Sequence, residues 1–221
     1  MFEKKLSAKT VLKNTIDFFQ CDSEQTKKRV LLIGGFHGDE PEGVYLLQRF
    51  MKIYAGACIN APYQIGVVPC LNPDGYSQNT RENFNKIDLN RNYPTRNFAS
   101  YSYNPHTGQA FSGQPASECE TRFMMNVVEL FKPDMILSIH SDLKLVDYDG
   151  PAKEWAERIS DLSGYPLVQN VGYETPGSFG TWIGIERQIP IVTLETESAC
   201  DRSSQEKLWH RLEAVFLSFL K

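Results

Sequence analysis

Apolar runs alternate with helical patterns along most of the chain. Short apolar runs predict buried strands over Arg29 to Ile33, Gln64 to Cys70, Met135 to Ile139 and Ile191 to Leu194, with a fifth possible over Leu167 to Val171. Apolar residues at helical spacing predict helices over Pro41 to Tyr54, from the capping-box pair Ser117 and Glu120 to Phe131, over Pro151 to Ser163 and over Gln205 to Leu220. Strands that alternate with helices are typical of a three-layer α/β domain with helices on both faces of its sheet.

The segment from Asn72 to Gly113 breaks this alternation. It is rich in Asn, Arg, Tyr, Ser and Pro, and it shows little periodicity. A stretch of this length is too long for a simple connection, so it is either disordered or lines a site. Its aromatic residues and arginines can pack and pair, which favours a site.

Composition limits the possible functions. The 221 residues are 41% hydrophobic, enough for one substantial core, so we expect a single domain spanning 1–221. A net charge of −4 gives no electrostatic sign of binding to nucleic acid or to an anionic membrane surface. The N-terminus lacks a signal-like apolar stretch and no run has the roughly 18 apolar residues of a membrane span, which predicts a cytoplasmic protein. Five scattered cysteines without a C-x-x-C pair predict free thiols.

A cluster of polar side chains follows the first predicted core strand. Residues 34–43 read GGFHGDEPEG, and within them His37 and Glu40 stand three positions apart. An imidazole and a carboxylate at this spacing can bind one metal ion from a tight turn, and both are good zinc ligands. The alternative is a surface loop whose acidic residues favour the N-terminal end of the next helix.

A third candidate ligand, His140, ends the strand-like run MILSIH. The carboxyl ends of parallel strands share one edge of a sheet, so His140 would reach the same edge as His37. Two histidines and one glutamate leave a fourth position for water, as in hydrolytic rather than structural zinc sites. In isolation, His140 would be interpreted as a core histidine bonded to the backbone. We expect His106 and His210 to be ordinary surface residues.

Two arginines lie in the irregular segment, in the stretch NTRENFNKIDLNRNYP at residues 79–94. The planar forks of Arg81 and Arg91 suit a substrate carboxylate. Asp88, which lies between them with Asn90, is a plausible acceptor for a metal-bound histidine. The alternative is a surface cluster of salt bridges.

The last candidates lie in NVGYETPGSFGTW and IVTLETE. Tyr173 belongs to a loop bounded by Pro and Gly that could move over a cleft, and Glu195 ends a strand at the same sheet edge as the histidines. A carboxylate there can take a proton from water and pass it to a leaving amine. Without the other residues, Glu195 would be a surface strand end and Tyr173 a packing aromatic.

Together these motifs resemble the M14-type zinc metallocarboxypeptidases over nearly the whole chain. The matching pieces keep the family's order: HGDE, NPDGY, Arg81, DLNRNY, LSIHS, YETPGSFGTW and TLETE. Within the family, VGYETPGSFG is most similar to the murein peptide amidases, small bacterial cytoplasmic enzymes of cell-wall recycling. The segment HSDLKLVDYDG differs from the His-Asp-Pro expected of those enzymes. The resemblance implies a zinc-carboxypeptidase-like α/β fold with a mixed, mostly parallel central sheet between two layers of helices.

The resemblance also implies roles for individual residues. One zinc ion per chain would be bound by His37, Glu40 and His140, with Asp88 supporting a zinc-bound histidine. Glu195 would be the general base and acid.

The remaining residues would contact the substrate. Asn90 and Arg91 would hold a terminal carboxylate, Arg81 would polarise the scissile carbonyl, and Tyr173 would close over the bound peptide. The implied reaction is hydrolysis of the γ-D-glutamyl–meso-diaminopimelate bond of the free murein tripeptide, by a monomer or homodimer.

Three alternatives remain at this point. The first is a general metallocarboxypeptidase acting on L-peptides, and the second is a deacylase of the aspartoacylase or succinylglutamate desuccinylase type. The loop that carries Tyr173 argues against the deacylase. The third is a non-catalytic sensor of peptidoglycan fragments, which the intact ligand set and Glu195 argue against.

Overall fold

The computed structural model describes residues 1–102, 108, 110–169 and 173–221. In this part of the chain the strands are β1 (Glu3–Lys9), β2 (Thr15–Cys21), β3 (Arg29–Ile33), β4 (Gln64–Val68), β5 (Tyr101–Ser102), β6 (Ala110–Phe111), β7 (Met135–Ser141), β8 (Leu145–Asp149) and β9 (Ile191–Thr196). Seven of them form one sheet in the order β1-β2-β4-β3-β7-β9-β8, and β5 pairs with β6.

The central strands β4, β3, β7 and β9 run parallel to one another. Antiparallel strands flank them, with β2 and β1 on one side and β8 on the other. The predicted mixed, mostly parallel sheet is therefore confirmed. Parallel strands place their carboxyl ends at one edge, where open α/β sheets bind ligands.

Four helices cover the two faces of the sheet: α1 (Pro41–Tyr54), α3 (Cys119–Phe131), α4 (Lys153–Ser163) and α5 (Arg202–Leu217). A short helix, α2 (Pro73–Gln78), lies in the irregular segment. Val30 and Leu32 of β3 pack in a core cluster with α1, α4 and α5. Leu31 and Ile33 point the other way, into a cluster with α3 and the segment 179–183. Because both faces of β3 are buried, its sequence is continuously apolar rather than alternating. No helix in the described ranges is both long and apolar enough to cross a membrane.

The pattern missed the flanking strands. The β1 sequence EKKLSAK is mostly exposed, and the β8 sequence LVDYD carries two aspartates, so neither has the apolar run of a core strand. The possible strand from Leu167 to Val171 is wrong over its described residues, where Leu167 makes only an isolated bridge to Val146. Val171 lies outside the described residues.

Two helix ends also differ from the prediction. The predicted capping box of Ser117 and Glu120 does not form. The N-cap of α3 is Glu118, which makes no side-chain cap, and its carboxylate accepts a hydrogen bond from the Ser117 hydroxyl at 2.7 Å. Helix α5 begins earlier than predicted, where Asp201 forms a capping box with Ser204. The first turn of α5 is polar, so apolar spacing does not mark where this helix begins.

Candidate active site

The candidate residues meet where the central parallel strands end. His37 and Glu40 lie in the loop between β3 and α1, and His140 lies near the end of β7. In the sheet register His140 is paired with Glu195 of β9. All four line a cavity of about 610 Å³ that opens at this edge. The predicted convergence of these side chains on one sheet edge is thus what the fold produces.

The three candidate ligands form a buried trio. Their exposed fractions are 2% for His37, 6% for Glu40 and 4% for His140. The Nδ1 atom of His37 lies 2.6 Å from Glu40 Oε1, and His140 Nδ1 lies 2.9 Å from Glu40 Oε2. The two Nδ1 atoms are only 3.3 Å apart. Two ring nitrogens and a carboxylate that face one point are a donor set that could hold a divalent metal ion.

The charges around His37 favour a cation at this point. Burial and Arg81 would lower the pKa of His37, but the carboxylates of Glu40 and Asp88 outweigh them and raise it to about 9. Burial would raise the pKa of Glu40, but His37 and His140 hold it well below its usual range. A positive charge on the ring nitrogens therefore stabilises two buried carboxylates, and a metal ion could supply that charge.

Asp88 connects the trio to the irregular segment. Its fully buried carboxylate accepts hydrogen bonds from His37 Nε2 at 3.1 Å, Arg81 Nε at 3.3 Å and the backbone N–H of Asn90 at 2.9 Å. The last bond caps the short 3₁₀ turn Leu89–Arg91. Burial would raise the pKa of Asp88, but His37 and Arg81 hold it well below its usual range. One carboxylate thus orients an imidazole, an arginine and the turn that carries Arg91.

The two arginines have different partners. Arg81 contacts Asp88 and also donates through Nη1 to Glu40 at 3.1 Å, so it packs against the trio. Arg91 is 3% exposed and lines the cavity, yet its Nε has no hydrogen-bond partner in the described structure. Asn90 accepts a hydrogen bond through Oδ1 from the backbone N–H of Phe179 at 2.9 Å. The segment after Tyr173 is therefore tied to the arginine-bearing turn.

Glu195 and Tyr173 complete the cavity wall. One carboxylate oxygen of Glu195, Oε2, is buried and has no hydrogen-bond partner among the described residues, and burial raises the pKa of this carboxyl group. Burial also raises the pKa of Tyr173, which lines the same cavity. A glutamate with a raised pKa thus lines the cavity next to His140 of the buried trio.

The irregular segment lines the site, in its described residues, rather than being disordered, because it supplies Arg81, Asn90 and Arg91 to the cavity. The surface cluster of salt bridges is thereby excluded for these side chains. His210 is exposed on α5 as expected, and His106 lies outside the described residues.

Three acidic residues near the site were missed by the sequence analysis. Glu42 is 1% exposed and accepts hydrogen bonds from Ser141 Oγ at 2.8 Å and from the backbone N–H of Ala199 at 2.6 Å. It ties the end of β7 and the loop that follows β9 to α1. Asp147 and Asp149 of β8 line the cavity. Their alternation with Val146 and Tyr148 was the available signal.

Comparisons with known proteins agree with this arrangement. The zinc carboxypeptidase family model matches residues 3–154. Murein peptide amidase A of Vibrio campbellii is 33% identical over 196 residues, which cover 85% of this chain and 76% of the relative. Murein peptide amidase A of Escherichia coli K12 is 30% identical over 203 residues, covering 84% of this chain and 81% of the relative.

Solved structures show the same fold. The crystal structure of the murein-tripeptide amidase from Escherichia coli O157 has a TM-score of 0.78 at 27% identity, covering 94% of this chain and 89% of that one. Thrombin activatable fibrinolysis inhibitor has a TM-score of 0.80 at 17% identity, covering 100% of this chain and 68% of that one, and shares the fold. The family model, the relatives and the ligand geometry agree, and the chain belongs to the zinc carboxypeptidase family of metallopeptidases.

Proposed function

We propose that the protein is a zinc-dependent amidase that hydrolyses the bond between γ-D-glutamate and meso-diaminopimelate in the free murein tripeptide. The observation that carries the proposal is the meeting, in one cavity, of a buried His, Glu and His trio with a partly buried glutamate and two arginines. The relatives named murein peptide amidase, which match most of the chain, support this choice of substrate. We further propose that residues 1–221 form one catalytic domain, a monomer or homodimer that acts in the cytoplasm.

His37, Glu40 and His140 would hold the metal, with one ion per chain. Imidazole nitrogen and carboxylate oxygen are donors that zinc prefers, and the approach of two Nδ1 atoms to 3.3 Å suits a shared cation. A bound zinc ion would supply Lewis-acid activation of water and of the amide carbonyl. Asp88 would fix the orientation of the His37 ring through the opposite nitrogen.

Arg91 and Asn90 would bind the terminal carboxylate of the substrate. Arg91 is buried and its Nε has no partner in the part of the chain that the structure describes, so an anion in the cavity would complete its hydrogen bonding. Asn90 uses its Oδ1 to accept from Phe179, which leaves its amide nitrogen able to donate. Tyr173 would close over the bound peptide. The diaminopimelate residue carries a carboxylate next to the scissile amide, where Asn90 and Arg91 would bind it.

Glu195 would move the proton. Its carboxylate would take a proton from the attacking water and then pass it to the diaminopimelate nitrogen as the carbon–nitrogen bond breaks. Arg81 is held by Asp88 and Glu40 through Nε and Nη1, which leaves Nη2 to donate to the carbonyl oxygen as negative charge develops. A donor of this kind commonly contributes about 3 to 4 kcal/mol.

The test is the pair of variants Glu195→Gln and Glu197→Gln, assayed on the free tripeptide. Glu195→Gln should lower kcat by roughly 10²- to 10⁴-fold with zinc content unchanged, because only the proton transfer is removed. Glu197 lies outside the cavity lining and pairs with Arg211 at 3.5 Å, so its variant should keep parental activity. Near-parental turnover by Glu195→Gln would contradict the assignment.

A substrate panel separates the alternatives. Ordinary L-peptides test the general carboxypeptidase, and N-acyl amino acids test the deacylase. Turnover confined to either class would replace the proposed substrate. Tight binding of the tripeptide without turnover would favour the sensor.

A further inference from the structure

Diaminopimelate, the leaving residue of the proposed substrate, carries a second ammonium and carboxylate pair at the far end of its side chain. None of the residues assigned a role above binds this second ammonium group. We propose that Asp147 and Asp149 of β8 bind this ammonium group and thereby select the leaving residue. The inference rests on the proposed function and names the residues that recognise the diaminopimelate side chain.

The strand register places both aspartates on the catalytic face of the sheet. Asp147 pairs with Thr193 and Asp149 with Ile191, and directly paired residues of antiparallel strands point to the same face. Glu195 stands two residues beyond Thr193, again on this face. Diagonal neighbours of this kind lie about 7 to 8 Å apart, with their β-carbons somewhat closer, so the Asp147 side chain starts close to the proposed base, Glu195. Both aspartates line the same cavity as Glu195.

The length of diaminopimelate matches this spacing. The scissile nitrogen and the distal ammonium nitrogen are separated by six single bonds, which span roughly 7 Å when extended. An amide positioned beside Glu195 would therefore place the ammonium group near Asp147. Asp149, one alternation further along β8, would bound the end of the pocket.

The packing of Asp149 places this pocket on the leaving-residue side. A β-carbon on Gly180 would lie 2.1 Å from Asp149 Oδ2, so only glycine leaves room for the carboxylate there. Gly180 follows Phe179, whose backbone N–H donates to Asn90 Oδ1 at 2.9 Å. The aspartates thus border the part of the cavity where Asn90 would bind the terminal carboxylate.

The two aspartates lack a cation of their own. Within the described ranges, Asp147 Oδ1 is buried without a hydrogen-bond partner, and neither aspartate forms an ion pair with a lysine or arginine. Burial raises the pKa of Asp147 to about 6 and also raises that of Asp149. Arg91 lines the same cavity, is buried, and has no acceptor for its Nε in the described structure. The cavity therefore offers one group that suits an anion and two that suit a cation, and a diaminopimelate residue supplies both charges.

The test compares two tripeptides that differ only in the distal ammonium group, one ending in meso-diaminopimelate and the other in L-2-aminopimelate. The parent should prefer diaminopimelate by roughly 10- to 100-fold in kcat/KM, the range expected for a charged hydrogen bond. Asp147→Asn and Asp149→Asn should lose most of this preference, with activity falling on diaminopimelate and unchanged on aminopimelate. Asp161→Asn, an exposed change on α4, should behave like the parent. Melting temperatures no lower than that of the parent, with equal zinc contents, would verify that each variant is folded.

Calorimetry with free meso-diaminopimelate supplies an arm that does not depend on turnover. Binding at least tenfold weaker in Asp147→Asn than in Asp161→Asn would support the inference even if the tripeptide were not a substrate. Equal binding, or parental substrate preference in both strand variants, would overturn it. Tripeptide hydrolysis with no effect of either variant would reject this inference and leave the proposed function standing.

Discussion

Replacing Asp88 with Asn should weaken zinc binding by about 10- to 100-fold while leaving the fold intact. The change keeps the size of the side chain and one carbonyl oxygen. That oxygen can still accept from His37 Nε2 and from the Asn90 N–H, and Asn is itself a good cap residue. The 3₁₀ turn should therefore persist, and the effect should come from the lost charge.

The expected magnitude has two sources. A neutral amide makes the His37 ring a weaker ligand than a carboxylate does, because it no longer stabilises positive charge on the imidazole. The new amide nitrogen would face Arg81 Nε at the position of a 3.3 Å hydrogen bond, which sets two donors against each other. A 10- to 100-fold loss of affinity corresponds to about 1.4 to 2.8 kcal/mol.

The assay is competition for zinc between the protein and a coloured chelator at fixed pH. Asp74→Asn is the matched control, because Asp74 is also fully buried but accepts only from neutral donors, Thr10 Oγ1 at 2.6 Å, Asn14 Nδ2 at 2.8 Å and the Leu12 N–H at 3.1 Å. The control should lose stability with little change in zinc affinity. A folded Asp88→Asn variant with parental zinc affinity would refute the role of Asp88.

Three further predictions follow from the cavity wall. Arg91→Ala should raise KM for substrates with a free terminal carboxylate by the equivalent of roughly 2 to 5 kcal/mol, and kinetics on free and amidated peptides should show that the variant no longer distinguishes them. Gly177→Ala should lower the free energy of unfolding by about 2 kcal/mol and raise KM without loss of zinc. Gly177 has a φ of +75°, and a β-carbon there would lie 2.1 Å from the Arg91 carbonyl oxygen. Denaturant unfolding measures the loss of stability, kinetics measure KM, and metal analysis measures the zinc content. Asp147→Asn should stabilise the zinc-free protein by about 1 kcal/mol at pH 7.5 and by much less at pH 4.5. The folded pKa of Asp147 is raised from 3.8 to about 6, so the parent loses stability as pH rises through this window, and partial exposure reduces the roughly 3 kcal/mol ceiling. Equal stability of variant and parent at pH 7.5 would contradict this reasoning.

The central strands and the metal trio could be predicted because their signals are local. β3 was predicted with its observed bounds, Arg29–Ile33, since burial on both faces leaves a continuous apolar run. Helix α1 was likewise predicted over Pro41–Tyr54, because a proline in the first turn and apolar spacing mark it. Because parallel strands end at one edge of a sheet, the sequence also predicted that the candidate ligands meet there, as they do in the fold.

The side-chain pocket could not be predicted, because its signal depends on a long-range pairing. Asp147 and Asp149 lie in a five-residue strand whose neighbour, β9, is more than 40 residues later in the chain. Only the pairing of Asp147 with Thr193 shows which face the aspartates share with Glu195. Similarly, Glu42 was interpretable as a helix N-terminal acid until its bonds to Ser141 and Ala199 were visible.

The measurement that tests the central claim most directly is mass spectrometry of the products formed from the free murein tripeptide by purified, zinc-loaded protein. A chelator-treated sample and a panel of L-peptides would be run beside it. Release of diaminopimelate that the chelator abolishes, with no cleavage of the L-peptides, is the predicted result. An intact tripeptide beside cleaved L-peptides would contradict the assignment as a murein peptide amidase.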